Sequence, residues 1–146
     1  MPLDELADFY QTLTPCSLAR LDNHYAADAR FKDPFNEVRG LPAIRNIFQH
    51  MFDQVDSPRF VVTEKVGDGN LAFLTWTFHY RRGGQPAEIH GVTRLIWDGS
   101  GKVCCHRDYW DAAEELYMKL PLIGGLLRAL RRRLSARVQT DSRSIG

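Results

Sequence analysis

Residues 102–111 read Lys-Val-Cys-Cys-His-Arg-Asp-Tyr-Trp-Asp, and they follow a turn signal at Asp98-Gly99-Ser100-Gly101. This composition favours a strand of a half-buried sheet. Side chains alternate between the two faces of a strand, so His106, Asp108 and Trp110 share one face. If that face lines a cavity, its imidazole and carboxylate are suited to acid/base chemistry. If it faces water, the same side chains are ordinary polar surface.

Upstream of this stretch the hydrophobic pattern changes from a helical period to an alternating one. Alternation predicts three earlier strands, over residues 59–66, 71–82 and 86–97, separated by glycine-rich turns. Helical spacing predicts helices over residues 3–13, 15–26 and 42–54. Short connections between long strands are typical of an antiparallel meander. Helices followed by strands predict an α+β domain with the helices packed on one face of a curved sheet.

After residue 111 the pattern returns to helix. We predict a core domain over residues 1–113, a C-terminal amphipathic helical extension over 114–138 and a flexible tail over 139–146. The extension is basic, with Arg128, Arg131, Arg132, Arg133 and Arg137 beside a leucine stripe. Three interpretations of this extra C-terminal helix stay open: packing onto the domain or a partner subunit, contact with a membrane surface, and disorder.

The overall composition suits one soluble globular domain. The chain has 146 residues, 44% of them hydrophobic, and a formal net charge of +1. This charge balance gives no indication of a nucleic-acid partner. No apolar run reaches the roughly 18 residues of a membrane span, and the acidic N-terminus lacks the features of a signal peptide, so we expect a cytoplasmic protein. Cys16, Cys104 and Cys105 are expected to be free thiols.

Two motifs resemble a known family. Phe31-Lys32-Asp33-Pro34-Phe35 and the residues 38–44 after it resemble the motif that leads into the third helix of nuclear transport factor 2-like proteins. Residues 106–111 resemble that family's last strand. The likeness spans about residues 3–112 and is nearest to the ketosteroid isomerase and SnoaL-like polyketide cyclase branches. It implies a cone, in which a curved, mainly antiparallel sheet wraps over N-terminal helices around a deep apolar pocket.

The resemblance also implies three candidate catalytic residues, Asp33, His106 and Asp108. Asp33 stands where ketosteroid isomerases carry their catalytic base, and Asp108 lies near the position of the acid/base residue of SnoaL-like cyclases. Phe9 and Thr93 stand at the isomerase oxyanion-hole positions and do not supply the expected donors, which argues against ketosteroid isomerisation. Two pairings stay open: Asp108 with His106, which favours imidazolium, or Asp108 with Asp33, which raises one carboxyl pKa.

Each of these candidates has a plainer interpretation. Asp33 precedes a proline and is suited to accept backbone N–H bonds in a turn. The plainer interpretation of His106 and Asp108 is a polar pair bonded to neighbouring side chains or water.

Large apolar and aromatic side chains are expected to form the pocket wall and contact substrate. They are Tyr10, Leu74, Trp76, Phe78, Tyr80, Ile89, Thr93 and Trp110. Such a lining suits a flat or polycyclic, hydrophobic small-molecule ligand of modest polarity. The alternative is that these side chains fill a core, with Trp76 large enough to close the cavity. We expect no metal and no cofactor, because alternation turns His79 and His90 away from His106.

Together these observations predict a small-molecule enzyme that works by cofactor-independent acid/base proton transfer. The reaction class would be isomerase, cyclase or dehydratase, and the substrate a hydrophobic carbonyl compound. The alternative is a non-catalytic ligand-binding or dimeric assembly domain of the same fold. In either case we expect a homodimer formed through the exposed sheet face that carries Phe73, His79 and Val92.

Overall fold

The computed structural model describes residues 2–115, 125–126 and 128–134. Its helices are α1 (Pro2–Gln11), a 3-10 helix (Cys16–Asn23), α2 (Leu41–Gln54) and α3 (Ala112–Glu115). Its strands are β1 (Tyr25–Lys32), β2 (Glu37–Arg39), β3 (Asp56–Asp68), β4 (Leu71–Arg82), β5 (Gln85–Trp97) and β6 (Val103–Tyr109). The chain divides into two units, Met1–Trp110 and Asp111–Gly146.

The six strands form one sheet in the order β2-β1-β6-β5-β4-β3. Strands β3 to β6 pair antiparallel in sequence order, and β1 joins the sheet by pairing parallel to β6. The predicted α+β class, with a mostly antiparallel sheet and helices, is therefore confirmed. Because the strands of the meander are joined by short connections and pair in a fixed register, residues that are distant in the sequence lie side by side on β4, β5 and β6.

Alternation along β4 decides which face of the sheet is covered. Ala72, Leu74, Trp76, Phe78 and Tyr80 are all buried, whereas the residues between them are more exposed. These side chains, apart from Ala72, belong to one core cluster with apolar residues of α1 and α2, among them Leu6, Tyr10, Ile44 and Phe48. Full burial of a large apolar side chain contributes about 1.5–3 kcal/mol, so this cluster holds the helices on the sheet.

The predicted helix over residues 15–26 is wrong in its last three residues, and the helix that forms is a 3-10 helix. The 3-10 helix ends at Asn23, and β1 begins at Tyr25. The backbone N–H of Val103 donates to the carbonyl of His24 at 2.8 Å, so β1 enters the sheet directly beside β6. Leu18, Leu21 and Tyr25 recur at helical spacing because all three are buried, although they do not share one helix.

The predicted C-terminal extension is described only in part. Helical residues occur at 112–115, 125–126 and 128–134, while residues 116–124, 127 and 135–146, including the predicted tail, lie outside the described residues. Leu126, Leu130 and Leu134 are exposed. Within the described ranges no helix is long and apolar enough to cross a membrane. Membrane-surface contact by this segment stays a prediction.

Candidate active site

Six of the predicted site residues line one small cavity between the sheet and the helices. They are Tyr10, Leu74, Trp76, Thr93, His106 and Asp108, and Phe48, Phe60 and Val62 complete the wall. Sheet register explains part of this convergence, because Leu74 pairs with Thr93 and Thr93 pairs with Asp108 on consecutive strands. The cavity therefore combines an apolar wall with one carboxylate, one imidazole and two hydroxyl groups.

The Asp108 carboxylate is held by one of its two oxygens. Its Oδ1 atom accepts a hydrogen bond from the Thr93 hydroxyl at 2.5 Å and another from His106 Nε2 at 2.8 Å. The Oδ2 atom accepts no hydrogen bond from any described residue. No unpaired polar side-chain atom is buried in the described part of the chain, so Oδ2 keeps contact with solvent. The carboxylate is thus fixed on one side and open on the other.

His106 is almost fully buried, with 3% of its surface exposed. Its Nδ1 atom lies 2.7 Å from the Tyr25 hydroxyl and 3.1 Å from the Tyr10 hydroxyl, and the two hydroxyls contact each other. The ring also packs against Phe31, with the two ring centroids 4.5 Å apart. These contacts fix the plane of the imidazole, and with it the direction of the bond to Asp108.

Counting donors and acceptors assigns the protons in this network. With neutral His106, Nε2–H donates to Asp108, the Tyr25 hydroxyl donates to Nδ1, and the Tyr10 hydroxyl donates to the Tyr25 oxygen. An imidazolium would donate from Nδ1 to Tyr25 and leave one of the two tyrosine O–H groups without an acceptor among the described residues. An unpaired buried donor costs about 1–3 kcal/mol, so the hydroxyl pair favours neutral imidazole over the imidazolium pairing.

Both tyrosines act as neutral donors. Burial raises the pKa of Tyr10 and of Tyr25 above the ordinary tyrosine value of about 10. Sequence reasoning assigned Tyr10 to the pocket and missed Tyr25, because it placed Tyr25 on a helix. The parallel pairing of Phe31 with His106 brings β1 beside this part of β6, and that pairing has no signal in a sequence read locally.

Trp76 is the largest side chain in the lining of the Asp108 cavity. Its indole N–H donates to the Thr93 hydroxyl oxygen at 2.8 Å. Gly91 lies directly opposite Trp76 in the β4–β5 pair, and a Cβ atom built on Gly91 would lie 2.3 Å from Cζ2 of the indole. The ring therefore lies against the β5 backbone, where only glycine leaves room for it.

The cavity that remains is about 20 Å³. A single water needs roughly 10–15 Å³, so the expected ligand-sized pocket is reduced here to the volume of about one water molecule. This small volume fits the alternative interpretation, in which the lining side chains fill a core. Two larger clefts of about 220 Å³ and 210 Å³ open elsewhere in the first unit, beside Trp97 and His24, and neither is lined by Asp108 or His106.

A sequence profile of the SnoaL-like domain matches residues 6–106. The chain belongs to the SnoaL-like family. This assignment agrees with the resemblance carried by the two motifs around Asp33 and Asp108. No curated protein matches the chain.

Solved structures with the same fold are numerous and distant in sequence. An NTF2-like protein of unknown function from Exiguobacterium sp. 255-15 is 15% identical, with a TM-score of 0.66 over 76% of this chain and 98% of that one. A candidate SnoaL-like isomerase from Agrobacterium tumefaciens is 15% identical, with a TM-score of 0.63 over 75% and 94%. AclR, a candidate hydroxylase from Streptomyces galilaeus, is 17% identical, with a TM-score of 0.65 over 97% and 94%. At these identities the likeness shows the fold.

Asp33 of this SnoaL-like protein lies in a turn after β1. Its Oδ1 atom accepts the backbone N–H groups of Phe35 at 2.8 Å and Asn36 at 2.7 Å, and both of its oxygens accept the Asn36 side-chain amide. The last residue pair between β1 and β6 is Lys32 with Arg107. Asp33 and Asp108 are the next residues after this pair, so Asp33 lies just beyond the end of the strand pairing. It is not among the residues that line the cavity. The carboxylate has the geometry of the turn interpretation.

Four of the predicted pocket residues do not line the cavity: Phe78, Tyr80, Ile89 and Trp110. Phe78 and Tyr80 stack on each other with ring centroids 5.4 Å apart, farther along the buried face of β4. Trp110 packs edge-on against Phe35 at 5.4 Å. Packing of these side chains in and around the core explains the aromatic pattern that the sequence displayed.

The metal-ligating residue types are dispersed. In residues 2–115, 125–126 and 128–134, no three His, Cys, Asp or Glu side chains are grouped so that they could hold a metal ion. His79 and His90 both lie near Glu88, at 3.5 Å and 3.2 Å.

Proposed function

We propose that this SnoaL-like protein is a cofactor-independent enzyme that transfers a proton at the carbon next to a carbonyl group of a hydrophobic small molecule. The observation that carries the proposal is the Asp108 carboxylate. One of its oxygens is held by Thr93 and His106, the other accepts no hydrogen bond from a described residue, and Asp108 is part of the lining of a largely apolar cavity. A carboxylate fixed in this way loses little conformational freedom when it meets a substrate C–H group.

In the proposed step the Asp108 Oδ2 atom takes the proton, and the C–H electron pair moves to form an enolate. The neutral His106 keeps its hydrogen bond to Oδ1, so it positions the base and does not itself exchange a proton. The Tyr10 hydroxyl lines the cavity, and it is the donor that would stabilise the negative charge on the enolate oxygen. It can turn from the Tyr25 oxygen to a substrate oxygen while Tyr25 still donates to His106.

Isomerisation, ring closure and elimination of water share this first proton abstraction. They differ in where the enolate electron pair goes: to a second carbon that Asp108 reprotonates, to an electrophilic carbon of the same molecule, or to expel a hydroxyl group. The name of the Agrobacterium neighbour, a candidate isomerase, favours the first of these for a related fold. The proposed activity is this shared proton abstraction, with a hydrophobic carbonyl compound as substrate.

The test measures the shared step without requiring the natural product. Wild-type protein is incubated in D2O with simple hydrophobic ketones, and NMR follows deuterium incorporation at the carbon next to the carbonyl. We expect Asp108→Asn to lower the catalysed rate by about 100-fold or more, the usual size of a general-base contribution. Asp33→Asn is the matched control, because asparagine keeps the acceptor oxygen that the turn uses, and its rate should stay near that of wild type.

Equal exchange rates for wild-type protein and Asp108→Asn would refute the proposal. Circular dichroism and thermal melting of each variant verify that a loss of exchange does not reflect unfolding.

A non-catalytic assembly domain is the second candidate, and the small cavity favours it. A volume of about 20 Å³ holds no substrate without movement of a side chain. In this case the outer face of the sheet would pair two copies of the chain, with Phe73 exposed at 36% of its surface. Absence of any Asp108-dependent exchange, together with a dimer in solution, would favour this function over the enzyme.

A further inference from the structure

Trp76 is the largest side chain in the wall of the Asp108 cavity, and it is fixed at both ends of its indole. The N–H end is bonded to Thr93 at 2.8 Å. The benzo ring lies over Gly91, where an added Cβ would approach Cζ2 and Cη2 to 2.3 Å and 2.4 Å. Of the ring's neighbours, Phe60 packs against it edge-on with centroids 5.5 Å apart. These contacts hold the indole in one position on the sheet.

In this position the indole occupies space beside Asp108 that a substrate would need. The indole, Asp108 and Thr93 line the same 20 Å³ cavity, so the free volume beside the carboxylate is what the indole leaves. Two other large lining side chains, Phe48 and Phe60, lie on α2 and β3. Trp76 lies on β4, which pairs directly with β5, the strand that carries Thr93. Trp76 is the largest of the lining side chains and is bonded to Thr93, which is itself bonded to Asp108, so its size bears directly on the free volume beside the carboxylate.

We propose that Trp76 is the residue that determines substrate size, and that Gly91 makes its position possible. With the indole in place the cavity is about 20 Å³, so even a compact carbonyl compound, either acyclic or with a single ring, enters only when a side chain moves. A fused ring system requires a larger movement, and the indole therefore discriminates against it. This inference rests on the proposed function for its choice of substrate class. It differs from the expectation of a flat or polycyclic ligand, because that expectation assumed an open pocket.

Removing the indole leaves the rest of the site in place. Thr93 accepts from Trp76 and donates to Asp108, and only the first of these two bonds depends on the indole. Trp76→Ala should therefore keep the Asp108 carboxylate oriented while enlarging the cavity. The enlarged cavity keeps its apolar wall, and the Thr93 hydroxyl oxygen becomes free to accept a hydrogen bond, so it should bind an aromatic molecule of the shape that was removed.

The first arm of the test compares deuterium exchange into cyclopentanone, which has one ring, and 2-tetralone, which has two fused rings. Each rate is divided by the uncatalysed rate of the same ketone. Wild-type protein should favour cyclopentanone by about tenfold or more, the scale of steric discrimination in an apolar pocket. Trp76→Ala should gain about tenfold on 2-tetralone, and the control Trp97→Phe, outside this cavity, should change neither rate.

Equal enhancement of both ketones by wild-type protein would overturn the inference. So would a Trp76→Ala protein that exchanges cyclopentanone and gains nothing on 2-tetralone.

The second arm separates this inference from the proposed function. If wild-type protein exchanges neither ketone, the proposed function fails, and calorimetric titration with indole then decides the role of Trp76. Binding of indole to Trp76→Ala and not to wild type supports the size limit, and equal binding to both, or to neither, refutes it. If Trp76→Ala does not fold, Trp76→Leu replaces it in both arms, with benzene as the binding probe.

Discussion

Gly91→Ala is the substitution for which the structure predicts the largest effect from the smallest change. The added methyl group would lie 2.3 Å from Cζ2 of Trp76, whereas two carbon atoms in contact lie about 3.5–4.0 Å apart. The indole must therefore move by about 1.2 Å or more. A movement of this size lengthens the 2.8 Å bond from Trp76 to Thr93 beyond hydrogen-bonding distance.

The free energy of unfolding should fall for two reasons. Overpacking of a core typically costs about 1–3 kcal/mol. Loss of the buried bond between Trp76 and Thr93 adds about 1 kcal/mol. The sum is about 2–4 kcal/mol, which corresponds to a decrease in Tm of roughly 8–16 °C in a domain of this size.

Urea denaturation of four variants, Gly91→Ala, Trp76→Phe, the double variant of these two and Gly99→Ala, measures this effect. Gly99→Ala is the control, because a Cβ at Gly99 meets no atom within 4 Å and its backbone needs no positive φ. The double variant Trp76→Phe/Gly91→Ala should recover about 1–3 kcal/mol of coupling energy, because phenylalanine lacks the outer ring atoms that collide. Two results would refute this account of the indole's position. The first is a decrease in the free energy of unfolding for Gly91→Ala that is no larger than that for Gly99→Ala. The second is a decrease for Gly91→Ala that is the same in the Trp76→Phe background as in wild type.

Three further predictions concern the hydroxyl network and the sheet surface. Tyr25→Phe should lower the free energy of unfolding by about 1 kcal/mol in urea melts, because Tyr10 can replace only one of its two hydrogen bonds; a loss above about 3 kcal/mol would contradict the bonding pattern. Since burial raises the pKa of Tyr10 and Tyr25, the native state favours their neutral forms, so this stabilisation is complete below about pH 10 and declines above it. Melts at increasing alkaline pH should show a decline that is smaller in Tyr10→Phe/Tyr25→Phe, and equal declines would contradict the assignment. Phe73→Asp should convert a sheet-paired dimer to monomer in sedimentation, whereas Phe35→Asp, on the turn after β1, should not; a dimer that persists in the Phe73→Asp variant would rule out that interface.

The meander could be predicted from the sequence because its signals are local. Alternation of buried and exposed side chains from Leu71 to Arg82, with glycine turns on each side, gave β4 with the bounds that the structure has. The turn at Asp98–Gly101 likewise located the start of β6. Each of these elements is fixed by residues within a few positions of one another.

Strand β1 was missed because its identity depends on a distant partner. Tyr25–Lys32 contains three alanines and an aspartate, which have low strand propensity, and it is a strand because it pairs parallel to β6. Tertiary context decides such segments, and a local pattern cannot supply it. The role of Tyr25 was missed with it, since its hydroxyl reaches His106 only through that pairing.

The site was predicted in part for a similar reason. Alternation put His106 and Asp108 on one face, and the family resemblance indicated that this face was the interior. The position of the Trp76 indole depends on Gly91 across the β4–β5 pair and on Thr93 beside it, so cavity volume is a property of neighbouring strands together. Asp33 had two interpretations in the sequence, and its bonds to the two residues that follow Pro34 are those of the turn interpretation.

The most direct test of the central claim is the ratio of deuterium exchange rates for Asp108→Asn and Asp33→Asn, measured on the same ketone under the same conditions. If Asp108 is the base and Asp33 supports only the turn, Asp33→Asn exchanges about 100-fold or more faster than Asp108→Asn. A ratio near one with both variants folded, or a loss confined to Asp33→Asn, would contradict the assignment of Asp108.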